Sequence, residues 1–330
     1  MSEQNEAYIC NKLAVTVEPY CNELFSSWIF RLALANGIEP YYLHKFVTGN
    51  PNSWNLDLDV THNEQIIQDY SIVTGYTDKR INQLLLHELL ERLAARKTAK
   101  TNSRWLIPLN NRGRNLTALG GIPFCPSCLT EKQYFSQNWR LATTTVCLEH
   151  KIYLKECCQK CRSPVTLKHV FAAFKNNITD ELLCICASCG FDLRKSVKRC
   201  IKRRSIDHNQ FNAQVIKDGF INMKDKQIQY SHLYFEAILV LSCVLLFRDN
   251  GCKLYNYLKN QLQMDCRHCE IVTQNMRTIE NIPLNSRDTA LYMINYLLTS
   301  YPNNLADAIN NSKTMPSILH MTRDYKPFWF

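Results

Sequence analysis

Cys125-Pro126-Ser127-Cys128 with Cys147-Leu148-Glu149-His150, and Cys158-Gln159-Lys160-Cys161 with Cys186-Ala187-Ser188-Cys189, decide the fold of this chain. A two-residue gap lets one tight turn deliver two ligands to the same ion, and two such turns complete a tetrahedral sphere. The first set offers three thiolates and one imidazole: Cys125, Cys128, Cys147 and His150. The second is all thiolate: Cys158, Cys161, Cys186 and Cys189. Gly190 directly after Cys189 suits the turn that brings backbone N–H groups to the sulfurs. The spacing therefore predicts two Zn²⁺ ions per chain in a tandem zinc-ribbon module. Cys157, Cys184 and His169 lie close enough in sequence to replace a ligand of the second set. Cys266-Arg267-His268-Cys269 repeats the pair spacing with no second pair nearby, and reads as structural or solvent-facing.

Disulfides are the competing explanation for 16 cysteines in 330 residues. The cysteines cluster in a chain far larger than the small domains that need such bridges, and Cys21 and Cys243 stand alone in apolar stretches, as buried thiols do. The start, Met1-Ser2-Glu3-Gln4-Asn5-Glu6, is acidic and polar where a secretion signal is basic and then apolar. A reducing, cytoplasmic location is expected. The longest apolar run, Phe235 to Phe247, contains Glu236 and is too short to span a bilayer, so no membrane partner is expected.

Apolar content of 46% and charged content of 21% belong to a folded globular chain. Its formal charge is +10, and the two thiolate-rich sites lower this to roughly +7. That balance favours an anionic partner, nucleic acid above all.

The expected fold is mainly α with small β zinc ribbons. It divides into an N-terminal helix-turn-helix-like domain over residues 1–119, the zinc module over 120–205 and a C-terminal helical domain over 206–330. In the first part, Glu23 to Ala35 places apolar residues at helical spacing, and Asn36-Gly37 ends the run as a C-cap pair. A second helix is expected from Glu39-Pro40 with Tyr41, Leu43 and Phe46 inward. Helix, turn, helix is the outline of a DNA-reading element, whose second helix carries His44 and Lys45 but little other base-reading chemistry, and equally of a structural hairpin. Downstream, Gln65 to Val73 reads as a helix ending at Thr74-Gly75. Thr77 or Asp78 then caps one long amphipathic helix through Ile81, Leu84, Leu85, Leu89, Leu90 and Leu93.

Two stretches are basic without interspersed acid. Between Arg92 and Thr130 stand Arg96, Lys97, Lys100, Arg104, Arg112 and Arg114. They form either a solvated linker or a phosphate-binding surface. The second stretch holds Arg194, Lys195, Lys198, Arg199, Lys202, Arg203 and Arg204 directly after the last knuckle, where a nucleic-acid or partner contact is expected from them together with Arg112 and Arg114. Beyond it, Leu233 to Phe247 should be a core helix and Arg287 to Leu298 another. The end, Tyr325-Lys326-Pro327-Phe328-Trp329-Phe330, should dock on the protein.

Catalysis at either metal is not expected. His62-Asn63-Glu64 followed by Cys125-Pro126-Ser127-Cys128 imitates a nucleobase deaminase, but no proline immediately precedes Cys125. Cys147 and His150 also fill the sphere that a catalytic zinc must leave open for water. No phosphate loop, Gly-x-Ser-x-Gly or His-Glu-x-x-His occurs.

Several of these features in order resemble the TniQ/TnsD proteins of transposition. Glu18-Pro19-Tyr20, then Glu23 to Ala33 with Ser27-Trp28 and Arg31-Leu32-Ala33, then Asn36-Gly37, is similar to that family's N-terminal signature. Phe124 to Leu129 with Trp139-Arg140-Leu141 and Cys147 to His150 resembles its first zinc motif, and Cys186 to Leu193 its second. Cys158-Gln159-Lys160-Cys161-Arg162 departs by lacking the usual proline and glycine. The resemblance implies a non-enzymatic target-selection adaptor acting with an AAA+ (TnsC-like) regulator and transposase. Such an adaptor either binds DNA itself, as TnsD-like members do, or docks on a crRNA-guided Cascade complex, often as a homodimer, as short members of CRISPR-associated transposons do. The short stretch after the zinc module favours Cascade. A free-standing zinc-ribbon transcription regulator is the reading from another class.

Overall fold

Helix α1 (Phe25–Ala35) buries Phe25, Trp28, Ile29, Leu32 and Ala33, a stripe set by the 3.6-residue repeat. It stops where the sequence predicts: Asn36 donates its side-chain amide to the Leu32 carbonyl at 2.8 Å, and Gly37 takes φ +65°. In this computed structural model the described residues are 12–61, 63–94, 104–109, 120–167, 170, 180–222, 228–246, 251–264 and 278–315.

Helix α2 (Pro40–Thr48) starts on its proline and ends at Gly49 in the left-handed region. Its buried face is Pro40, Leu43 and His44. Phe46, expected inward, is 68% exposed. It lies two residues beyond His44 and so about 200° around the helix axis from it. His44, a candidate base-reading residue in the sequence, is fully buried, with Nδ1 3.1 Å from the Tyr70 hydroxyl and Nε2 2.7 Å from Ser53 Oγ. It is therefore not a base-reading side chain. Tyr42 and Lys45 stay outside with Phe46.

Asn63 caps α3 (Glu64–Thr74), and Thr77 caps α4 (Asp78–Asn82). The long amphipathic helix expected from Thr77 to Leu93 is broken into α4 and α5 (His87–Leu93). The intervening backbone is claimed from elsewhere. Gln137 donates to the Gln83 carbonyl, Phe25 N–H to the Leu84 carbonyl, and Leu86 N–H to the Asp59 carbonyl. A helix through this stretch would forfeit these bonds.

The ligand-bearing region holds α6 (Pro126–Glu131) and an antiparallel pair, β1 (Val146–Cys147) with β2 (Ile152–Tyr153), registered Val146 opposite Tyr153. After it come α7 (Arg203–Asp218), the hairpin β3 (Phe220–Asn222) with β4 (Ile228–Tyr230), and α8 (Ser231–Leu245). Then follow α9 (Gly251–Gln261), α10 (Leu284–Thr299) and α11 (Asn303–Ser312). As the apolar run predicts, α8 is buried nearly all round, and it packs on α5, α9 and α10.

The chain is thus mostly helical, with few short strands. One buried cluster runs from Leu24 and Leu86 through Phe124, Val146 and Leu193 to Ile238, Leu291 and Ile309. A second lies among α1, α2, α3 and α4. No helix among the described residues is long and apolar enough to cross a membrane.

Candidate metal centres

Cys125 precedes Pro126 and caps α6, its Sγ accepting the Cys128 N–H at 3.5 Å. Cys128 follows one turn later on the same helix. Cys147 ends β1, and His150 comes from the turn to β2, where Lys151 takes φ +52°. His150 Nδ1 then lies 3.7, 3.2 and 3.5 Å from the sulfurs of Cys125, Cys128 and Cys147, and the Cys128 and Cys147 sulfurs are 3.6 Å apart. Metal–sulfur and metal–nitrogen bonds of zinc length give tetrahedral edges of about 3.8 Å for S···S and about 3.6 Å for S···N. The donor atoms fit such an ion.

The second set is built the same way. The Cys158 and Cys189 sulfurs, and those of Cys161 and Cys186, are each 3.6 Å apart. Within each set the ligand atoms all lie within 4.8 Å of one another. Gly190 at φ +70° donates its N–H to the Cys186 carbonyl, and Arg162 at φ +63° donates to the Cys158 carbonyl. Arg162 thus occupies a left-handed position that glycine fills in the partner knuckle.

Thiols held this close suit a cation. Hydrogen bonds from Cys125 and Cys128 pull Cys147 down to about 2, while hydrogen bonding to Cys125 and Cys147 pushes Cys128 well up. The neighbouring cysteines take no part. Cys184 is buried with its Sγ toward the Leu129 carbonyl, and burial pushes its thiol up to about 12. Cys157 pairs through its backbone with Pro164, and burial raises it too. His169 and Cys266 to Cys269 lie outside the described residues, as do His62, Arg96, Lys97, Lys100, Arg112, Arg114 and the aromatic end.

One residue beyond the ligands supports the first centre. His150 Nε2 lies 2.8 Å from Glu131 Oε1. A carboxylate taking that proton leaves the Nδ1 lone pair for an ion. Glu131 is three residues past Cys128 on α6, a spacing from which it could have been found.

The basic tail is divided. Arg194 is held by Asp192 and Glu181, Arg199 lies over the Tyr153 ring at 4.3 Å, and Arg204 over Tyr292 at 5.5 Å. Lys195, Lys198, Lys202 and Arg203 are exposed.

The N-terminal signature is locked to this region by buried polar contacts. Ser27 Oγ donates to Glu23 and accepts the Phe135 N–H. Glu23 also receives Arg31 at 2.7 Å. Ser26 binds Asp59 through both its N–H and its hydroxyl, and Asp59 with Asp57 holds Arg140, which is 1% exposed. Sequence reasoning did not find this cluster, because its charged members read as surface residues.

Comparison with curated proteins finds no match. A family model does match, over residues 14–154, and its description is TniQ. The matched span takes in the Glu23–Arg31 contacts, Arg140 and the whole first ligand set, while the second ligand set lies beyond it. Through that region the chain is similar to the TniQ family.

Proposed function

We propose that this protein is a non-enzymatic target-site selection adaptor in DNA transposition, linking a crRNA-guided Cascade complex to the AAA+ regulator and transposase. The TniQ match over residues 14–154 carries the reading, since that family implies target selection or DNA binding in transposition. Zinc is the ion proposed for both centres, because three or four thiolates with at most one imidazole are its structural donor set. Bound there, it supplies structural cross-linking. Four protein donors leave no position for a reacting water, which supports an adaptor over an enzyme.

Lys195, Lys198, Lys202 and Arg203 are the proposed contact surface, being the exposed cations of the tail that, unlike Arg199, do not lie over a ring. They also support a second reading, direct TnsD-like binding to a DNA attachment sequence. Co-purification separates the two. The adaptor reading expects the chain, as a homodimer, to associate with crRNA-loaded Cascade and with the AAA+ regulator. The second expects tight binding to one duplex sequence without Cascade, with a log–log salt slope of up to about −3.6 if four phosphates are neutralised. Neither association would refute both. Elemental analysis of unchelated protein should find two zinc ions per chain, and a count near zero refutes the metal assignment.

A further inference from the structure

Asp288, 6% exposed in the first turns of α10, accepts hydrogen bonds from three separate segments. Thr145 Oγ1 and His208 Nε2 reach Oδ1 at 2.7 and 2.9 Å. Ser205 Oγ reaches Oδ2 at 2.7 Å, and the Tyr153 hydroxyl stands 3.4 Å away. Asn209 on α7 closes the knot by accepting the Thr145 N–H and donating to its hydroxyl. One turn away, Glu156 accepts the Leu284 N–H at 2.8 Å and Arg287 Nη2 at 3.1 Å, so a side chain from the ligand-bearing region caps α10.

Tyr153 and Glu156 belong to the stretch joining the two ligand sets, and Thr145 lies just before the second ligand pair of the first. Thr145 precedes Cys147 by two residues, Tyr153 follows His150 by three, and Glu156 precedes Cys158 by two. The ligands at its two ends fix this stretch, and its middle holds α7 and α10.

We propose that these contacts form a clamp through which ion binding at the two centres governs docking of the C-terminal helices; the inference rests on the clusters holding ions. The clamp engages or releases as a unit. Arg287 and His208 are almost fully buried, and Asp288 is buried with them. Losing one partner strands the rest without water, so partial release is costly. Asp288 is a positioning residue here, turning the order of the metal region into the placement of α7 and α10.

Hydrogen exchange read by mass spectrometry on the full chain tests this, with zinc content measured on the same samples. In zinc-loaded Asp288→Asn, whose amide turns a donor toward groups that need an acceptor, zinc content should stay at two. Protection should persist over residues 122–161, while α7 and α10 exchange at least ~10-fold faster. Chelator-treated wild type should lose protection in both regions. Wild-type protection of α7 and α10 in the zinc-loaded variant, or undiminished α10 protection after both ions are removed, overturns the clamp. Purified wild type without bound metal but with protected α10 overturns the metal assignment and the clamp's dependence on it, leaving the fold untouched. If Asp288→Asn does not accumulate as folded protein, Glu156→Gln serves. It should speed exchange in the first turn of α10, and unchanged exchange there overturns the proposal.

Discussion

Glu131→Gln isolates the first metal centre from the second. In the structure His150 Nε2 lies 2.8 Å from Glu131 Oε1, while Nδ1 faces the three sulfurs. A charged acceptor makes the imidazole a better donor to the ion and holds its ring plane, and losing such a partner costs 10–100-fold in metal affinity, roughly. The side chain of Glu131 is 54% exposed and that of His150 only 16%. Water therefore screens the carboxylate and can replace part of its hydrogen bond, so the effect should fall at the low end. The expected loss is about 10-fold, or about 1.4 kcal/mol. With the ion in excess, the same amount leaves the folding free energy, and the melting temperature should drop by about 2 °C.

Competition against a chromophoric chelator measures this, because the all-thiolate site on the same molecule is an internal reference. One of two release steps should weaken while the other stays put. Glu149→Gln is the control: it removes the same charge one residue from His150, from an exposed side chain. It should change neither step by more than about twofold, since exposed charges act weakly. If Glu131→Gln behaves like Glu149→Gln, or both steps shift together, the assignment of Glu131 as the partner that orients His150 is wrong.

Three further outcomes are expected. Arg162→Gly relieves a left-handed φ of +63° and should stabilise the metal-loaded protein by about 0.5–1 kcal/mol, whereas Gly190→Ala at φ +70° should destabilise it by at least ~1 kcal/mol; thermal melts that move the two in the same direction contradict the knuckle geometry. Ser27→Ala leaves the buried Phe135 N–H without its acceptor and should cost about 1–3 kcal/mol in denaturant unfolding; an unchanged midpoint counts against the α1 interface. Burial, with the Asp57 carboxylate, lifts Asp59 to about 6 against the pull of Arg140. A raised acid favours the fold most below its ordinary value, and that contribution is lost as pH rises through about 6. The stability of Asp59→Asn relative to wild type should therefore increase between pH 5 and 7.5. Taking the difference cancels proton competition at the metal centres, and a flat or opposite trend refutes the raised value.

What could be read in advance was local. A two-residue gap closes one turn, so the ligand sets needed no knowledge of the rest of the chain. The same holds for the stop of α1 at Asn36-Gly37 and for α8, where a run apolar nearly all round the helix reads as interior. What could not be read depended on distant partners. The break between α4 and α5 follows from bonds to Gln137, Phe25 and Asp59, none of which alters the periodicity of Ile81 to Leu93. The face of α2 was misjudged because a stripe begun at Tyr41 and one begun at Pro40 are both apolar. Packing against Tyr70 and Ser53 selects the latter and takes His44 inside. In the basic tail, charge count alone could not separate the cations held by Asp192 or laid over Tyr153 and Tyr292 from the rest.

The span of the TniQ match has a physical counterpart. Residues 14–154 are not merely helices followed by a knuckle, because the two are tied by buried polar bonds in both directions. The segment after the first cysteine pair sends Phe135 N–H to Ser27, Gln137 N–H to the Asn22 carbonyl and Arg140 to the Asp57–Asp59 pair. From the other side, Leu24 N–H reaches the Phe135 carbonyl, and Asp59 holds Ser26 at the start of α1. The signature residues and the first ligand set are thus two margins of one interface, and neither margin satisfies its buried groups alone. The second ligand set enters by a different route, its connecting stretch facing α7 and α10 through Tyr153 and Glu156. The two routes meet on both sides of residue 154, since Thr145 within the matched span already bonds Asp288 on α10 and the turn Asp180–Cys184 beyond it packs back on α1.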